Sequence, residues 1–136
     1  MTVSDIERDE LSDWELEGWE GAFATVDSWQ GTLEKTFRAY AEIGDRLAEA
    51  KLDLAKVEVR SRQQKSIAVE HHLASTPKLA EWKAKAAVEA SPGDLHNKLV
   101  ITDRNEEVVR LTLRREALHL KITTLVRLGE VYWPPK

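Results

Sequence analysis

Apolar residues recur at alternating spacings of four and three along the segment from Thr32 to Leu73. This seam consists of Ile43, Leu47, Ala50, Leu54 and Val57. The alternation is typical of a helix that packs lengthwise against another helix. The segment contains no proline, and Gly44 is its only glycine. We therefore predict one long helix over residues 32–73.

A second helix is predicted over residues 77–90. Thr76 suits the N-cap position and Pro77 suits the first helical position that follows it. Three residues of this segment share one apolar face and predict how the helix packs: Leu79, Trp82 and Ala86. The dipeptide Pro92-Gly93 is expected to end the helix.

A third helix is predicted from Asp103, which forms a capping box with Glu106, to about Gly129. Two adjacent apolar stripes run along it, one of Leu111, Leu118, Ile122 and Leu125, the other of Val109, Leu113, Ala117 and Leu120. A face this wide predicts contact with more than one helix, the second being the N-terminal arm or another subunit. The preceding segment Asp94–Thr102 is β-prone at its end and is expected to be a joint or an irregular helical start.

These elements predict an all-α fold, an elongated antiparallel helical hairpin that resembles a coiled coil. The first helix forms the outgoing arm, and the other two form a return arm broken at Pro92-Gly93. Residues 1–31 are predicted to be an acidic, tryptophan-rich N-terminal arm, and residues 32–136 the hairpin domain. Because the seam is longer than the return arm can bury, we also expect a homo-oligomer.

Composition narrows the class of protein. The chain has 136 residues, 42% of them apolar, which fits one folded domain. It has no cysteine, so disulfides and thiolate chemistry are excluded. No apolar run approaches the roughly 20 residues of a membrane span. The N-terminus is acidic, unlike a signal peptide. We expect no membrane association and a soluble, cytoplasmic protein.

Charge is unevenly distributed along the chain. Residues 1–31 hold nine acids and one base, whereas the other 105 residues have a net charge of +4. The arm also carries Trp14, Trp19 and Trp29. These rings are either core residues that pack the arm on the body or anchors that dock an acidic segment on a basic partner.

A basic helical face is the strongest functional candidate. The residues expected to contact nucleic acid or another polyanion are Arg60, Arg62, Lys65, Lys78, Lys83, Lys85, Arg110, Arg114 and Arg115. Cations spread along an exposed helix suit phosphate contacts. The alternative is a solvated face in which Glu58, Glu81 and Glu116 form pairs within their helices.

No catalytic or cofactor signature is found. Glu116 and His119 have the Glu-x-x-His spacing of di-iron bundles, but such sites need a second pair that this sequence lacks. Phosphate-binding glycine loops and a cysteine nucleophile are absent as well. We predict a protein that is not an enzyme and has no metal and no cofactor.

Residues 47–129 resemble a loose group of small phage-encoded helical proteins. The resemblance rests on the helix Leu47–Val59, on the segment Thr76-Pro77-Lys78-Leu79-Ala80-Glu81-Trp82-Lys83-Ala84-Lys85-Ala86, and on the ending at Arg115–Gly129. Such proteins often sit near recombination and single-strand-annealing genes. The resemblance implies a role beside DNA metabolism but assigns no site residue.

The leading hypothesis is therefore a self-associating, non-enzymatic interaction protein of phage or mobile-element origin that serves DNA metabolism. Its basic face would contact nucleic acid, with single-stranded DNA among the candidates, or an acidic partner. A second hypothesis is a protein-only adaptor or inhibitor whose acidic arm captures a host protein. A third is a structural subunit of a virion or its scaffold. The residues expected to bind a partner chain are Trp14, Trp19, Trp29, Leu47, Leu54, Leu118 and Ile122.

Overall fold

The computed structural model describes residues 21–134, and all regular structure in that range is helical. The helices are α1, Val26–Ser75, of 50 residues; α2, Glu81–Glu89, of 9 residues; and α3, Pro92–Tyr132, of 41 residues. No strand occurs between residues 21 and 134. The all-α prediction is thus confirmed, and Trp14 and Trp19 lie outside the described residues.

Helix α1 begins six residues before the predicted start at Thr32. Thr25 is its N-cap, because the Thr25 hydroxyl oxygen accepts a hydrogen bond of 3.0 Å from the Ser28 backbone N–H. Asp27 adds a negative charge in the first turn, where the helix dipole favours it. The boundary predicted between residues 31 and 32 therefore lies inside α1, one turn after Trp29.

Helix α2 is shorter than predicted, because Thr76 and Pro77 do not start it. They lie in a turn closed by a hydrogen bond from the Leu79 N–H to the Thr76 carbonyl, 3.0 Å. The actual N-cap is Ala80, which is extended and makes no side-chain cap. The turn leaves Leu79 packed against the cluster formed by Val69, Ala84 and Val88, and this packing outweighs the local preference of Pro77 for a first helical turn.

Helix α3 begins at Pro92, eleven residues before the predicted cap Asp103. Ser91 is the N-cap, and its hydroxyl oxygen accepts a hydrogen bond of 3.3 Å from the Asp94 N–H. Pro92 occupies the first helical position, which requires no N–H donor. The segment Asp94–Thr102 is regular helix. Of the two alternatives predicted for this segment, the joint is wrong; the segment belongs to the start of the helix, which is regular and not irregular. Asp103 lies in mid-helix.

The chain divides into two compact units. Unit 1 consists of Met1–Leu47 with Arg110–Lys136, and unit 2 is Ala48–Val109. Helices α1 and α3 contribute to both, so each unit contains a part of each long helix.

In the described part of unit 1, the early part of α1 packs antiparallel to the end of α3. Trp29 contacts Leu125 and Tyr40 contacts Arg115. The residue numbers of the contacting positions in α3 thus decrease as those in α1 increase. The buried side chains include Thr36, Ile43, Leu47, Leu111, Leu118, Ile122 and Leu125. The predicted stripe of α3 that starts at Leu111 is thus the packed one.

Unit 2 has a smaller core in which α2 lies against the end of α1. Val69, Ala84 and Val88 are buried together, with Ala68, Leu73 and Leu79 packed around them. Ala84 and Val88 are four residues apart and so share the packed face of α2.

Among the described helices, none is both long enough and apolar enough to traverse a lipid bilayer.

Candidate nucleic-acid interface

Unit 2 presents exposed basic residues that form no ion pair with a carboxylate of residues 21–134. Arg60, Arg62, Lys78 and Lys83 are exposed, and none of them forms an ion pair with a residue of the described range. The first two lie on α1, Lys78 lies in the turn before α2, and Lys83 lies on α2. A polyanion would therefore not have to break an ion pair with a described carboxylate to reach them.

Arg60 and Arg62 do not share a face of α1. Positions i and i+2 of an α-helix are separated by about 200° of rotation around the helix axis. Arg60 lines a cleft together with Ser61 and Gln64, whereas Arg62 does not. A single nucleic-acid strand that runs straight along α1 would contact one of these two arginines and not the other.

Two other bases of the predicted set are paired with glutamates of α2. Lys65 Nζ lies 2.7 Å from Glu89 Oε1, and Lys85 Nζ lies 3.4 Å from Glu81 Oε1. The hydrogen bond between Lys65 and Glu89 raises the pKa of the lysine and lowers the pKa of the glutamate. Both ion pairs are solvent-accessible, and exposed pairs of this kind stabilise a fold only slightly.

The cleft of unit 2 lies between α1 and the start of α3 and has a volume of about 530 Å³. Asn97 Nδ2 donates a hydrogen bond of 2.8 Å to Gln64 Oε1 and links the two helices. The buried carboxylate of Asp94 also lines the cleft, with Lys98 Nζ 3.2 Å from its Oδ2. The approach of Lys98 lacks hydrogen-bond geometry, and Oδ2 accepts no hydrogen bond from a residue in the described range.

Trp82 is the residue whose position differs most from the prediction for α2. The sequence places it on the packed face with Leu79 and Ala86, but 68% of it is exposed. The buried face of α2 consists of Ala84 and Val88 instead, because the helix starts at Glu81 and its packing is set by the contact with Val69. The ammonium group of Lys83 lies 5.5 Å from the centre of the Trp82 ring.

The remaining predicted bases, Arg110, Arg114 and Arg115, belong to unit 1. Arg115 is half-buried, and its guanidinium lies 4.7 Å from the centre of the Tyr40 ring, a cation–π arrangement. Arg115 is therefore part of the packing between α1 and α3. Arg110 and Arg114 have contacts with other residues of the chain, so neither is a freely available cation.

Several residues predicted to bind a partner chain are occupied within unit 1. Leu47, Leu118 and Ile122 are at least nine-tenths buried, because α1 and α3 cover them. Trp29 packs in the same unit and donates a hydrogen bond of 2.8 Å from Nε1 to the Leu125 carbonyl. Leu54, in unit 2, is half-buried. Leu47, Leu118 and Ile122 thus contribute to the core of unit 1, whereas Trp14 and Trp19 lie outside the described residues.

The four histidines, candidate metal ligands by residue type, all lie among the described residues. In the part of the chain that the structure describes, no group of three or more His, Asp or Glu side chains is placed to hold a metal ion. His119 lies 6.0 Å from the Tyr40 ring, and the adjacent rings of His71 and His72 are 6.5 Å apart.

Trp82 is the potential site residue that the sequence prediction missed. A signal for it was present, since an aromatic residue interleaved with lysines is a feature of single-strand binding surfaces.

Comparisons of the chain with protein-family models, with curated proteins and with solved structures each gave no match.

Proposed function

We propose that this chain is a non-enzymatic helical interaction protein of phage or mobile-element origin that assists DNA metabolism or recombination. In this proposal it binds nucleic acid through the exposed bases of unit 2 in the cytoplasm of a bacterial host. The observation that carries the proposal is the set of four exposed bases without a carboxylate partner among the described residues, Arg60, Arg62, Lys78 and Lys83.

Electrostatics sets the expected strength of this binding. Residues 48–109 hold ten acids and ten bases, so unit 2 has no net charge. Long-range attraction of a polyanion is then weak, and affinity must come from local contacts between individual bases and phosphates. Such contacts release counterions, so the affinity should fall steeply as salt rises.

The proposal includes the antiparallel helical hairpin and self-association predicted from the sequence. The antiparallel contacts of α1 with α3 in unit 1, such as Trp29 with Leu125, support the hairpin. Self-association is supported by the second stripe of α3, in which Leu113 and Leu120 are 59% and 67% exposed. Large apolar side chains grouped on one exposed helix face are a common feature of interfaces.

The test removes two of the bases and leaves the fold intact. Arg60→Gln combined with Arg62→Gln should weaken binding of a fluorescent oligonucleotide, measured by anisotropy across a salt series. The slope of log affinity against log salt should become less steep by about 0.7 for each phosphate of a single strand that the variant no longer neutralises. A matched control is Arg38→Gln with Arg46→Gln, which removes the same charge from exposed positions of α1 in unit 1.

Equal losses in the two double variants would mean that binding responds only to net charge, and the proposed interface would be wrong. Absence of oligonucleotide binding by the full chain at low salt would reject the proposed function altogether. Circular dichroism of each variant checks that the helices are retained.

The zero net charge of unit 2 favours a second candidate, the protein-only adaptor or inhibitor. Residues 1–20 hold eight acids and one base and lie outside the described residues. In this alternative the predicted acidic arm, residues 1–31, captures a basic host protein, and residues 1–20 supply most of its negative charge. A pull-down that survives nuclease treatment, and is lost when residues 1–20 are deleted, would support the adaptor over the nucleic-acid proposal.

A further inference from the structure

An indole ring lies open to solvent on the shortest helix of unit 2. Trp82 is 68% exposed, although two buried positions of the same helix, Ala84 and Val88, show that α2 has a packed face. Transfer of a large apolar ring from water into a contact is favourable. An exposed ring at this position therefore provides binding free energy to a flat apolar group that covers it.

One lysine lies against the ring, and a second lysine precedes the helix. Lys83 Nζ lies 5.5 Å from the ring centre, and Lys78 is exposed in the turn just before α2. Lys83 and Lys78 have no carboxylate partner among residues 21–134. A ligand for this place should thus combine a flat aromatic group with negative charge close beside it, which is the chemistry of a nucleotide.

We propose that Trp82 is a stacking platform for an unpaired base, with Lys83 and Lys78 contacting the adjacent phosphates. The ligand class is single-stranded nucleic acid. This inference rests on the proposed function and specifies its ligand, since the lysine and arginine residues of unit 2 alone do not distinguish a single strand from a duplex.

Selectivity for single strands follows from the position of the ring. Bases of a duplex are stacked on each other, so a ring on the convex surface of a helix reaches their backbone but not their faces. Unpaired bases can turn out and stack on indole. Because every base has a π-face, this contact tolerates many sequences, and removal of such a ring costs about 5- to 150-fold in affinity.

The experiment compares three probes of equal length with the full-length protein: a DNA single strand, its duplex, and an abasic strand that keeps the phosphates but lacks the bases. Trp82→Ala should weaken single-strand binding by about 5- to 150-fold and leave abasic binding unchanged. Trp82→Phe should retain part of the affinity, because phenylalanine also stacks. The control Leu95→Ala removes another exposed apolar side chain of unit 2 and should have no effect.

The stacking platform would be wrong if the Trp82→Ala variant bound single strands and abasic strands as tightly as the unchanged chain does. Phosphate binding would not be contradicted by that result. If the chain binds none of the three probes, both the platform and the proposed function fail. Because Trp82 is exposed, its replacement should not unfold α2, and circular dichroism verifies this. Quenching of indole fluorescence by the single strand, present in the unchanged chain and reduced in Trp82→Phe, gives an independent readout.

Discussion

The indole ring of Trp29 lies directly against the backbone of Gly129. A Cβ atom at residue 129 would overlap the Trp29 ring at Cε2, Cζ2 and Nε1. The ring is held there by a hydrogen bond of 2.8 Å from Nε1 to the Leu125 carbonyl and by stacking on Trp133, with ring centres 5.7 Å apart. Glycine costs about 0.5–1 kcal/mol in a helix relative to alanine, and the packed indole offsets this cost.

Gly129→Ala should therefore destabilise the protein, although alanine is the better helix former. The added methyl group forces the ring or the helix to shift, and overpacking of this kind costs about 1–3 kcal/mol. Thermal or denaturant unfolding followed by circular dichroism measures the change in the free energy of unfolding.

The matched control is Gly31→Ala, also within a helix, where an added Cβ would have no heavy atom within 4 Å. It should stabilise the chain by up to about 1 kcal/mol, because alanine is preferred in helices. A Gly129→Ala variant as stable as Gly31→Ala would contradict the contact between Trp29 and Gly129.

Ser91→Ala should destabilise α3 by about 1 kcal/mol, since it removes the hydroxyl that accepts the Asp94 N–H. Asp103→Ala should be neutral or slightly stabilising, because Asp103 is exposed in mid-helix and aspartate is a poor interior residue. Denaturant unfolding of both variants gives the comparison. The reverse order of stabilities would place the start of α3 at Asp103.

Helical periodicity predicts the packed residues of unit 1, because burial along a long helix repeats with its turn. Leu111, Leu118 and Leu125 form one stripe of α3 in the sequence, and all three are buried. The start of α3 differs from the prediction because the sequence pattern indicates Pro92-Gly93 as the end of the preceding helix and Asp103…Glu106 as the initiation signal, whereas Ser91-Pro92 starts the helix. Once a helix has begun at Pro92, no residue before Asp103 stops it, and local patterns do not reveal which signal is used.

The site was harder to predict, because it depends on which face of a short helix is packed. For α2 the pattern predicts a packed face with Leu79, Trp82 and Ala86, whereas the structure packs a second face, with Ala84 and Val88. Contact with Val69, distant in sequence, selects the second face. Similarly, Arg115 reads as one more base in the sequence, and only its approach to Tyr40 shows that it belongs to the packing.

The pair Lys65–Glu89 should give a defined pH dependence. The pKa of Glu89 lies below its ordinary value of 4.5, so its contribution is present above pH 4.5 and is lost as pH falls through the lowered pKa. The pKa of Lys65 lies above 10.5, so its contribution is present below pH 10.5 and is lost as pH rises through the raised pKa.

NMR titration of the Glu89 carboxyl tests this pair. In Lys65→Gln the pKa of Glu89 should return towards 4.5, and the stability difference from the unchanged chain should be constant near neutral pH and shrink in acid. The same pKa of Glu89 in both proteins would show that the ion pair does not persist in solution.

The second stripe of α3 predicts how copies of the chain associate. Leu113, Leu120 and Val131 share a face, since seven and eleven residues are nearly whole numbers of helical turns. They are 59%, 67% and 76% exposed, whereas Leu118 and Leu125 on the other side are buried. The packed side is thus filled within unit 1, and the exposed side is the surface on which we expect a second copy to pack.

Leu120→Asp should convert the oligomer to a monomer of 15.5 kDa in sedimentation equilibrium, because it places a charge in an apolar contact. Leu54 is less suitable for this test: it is half-buried within unit 2, so a charge there would disturb the fold as well. The control is Leu52→Asp, at a position on α1 in unit 2 that is 55% exposed, which should leave the oligomer intact. If the unchanged chain already sediments as a monomer, self-association is wrong; if both variants dissociate an oligomer equally, the interface is not confined to the stripe of α3.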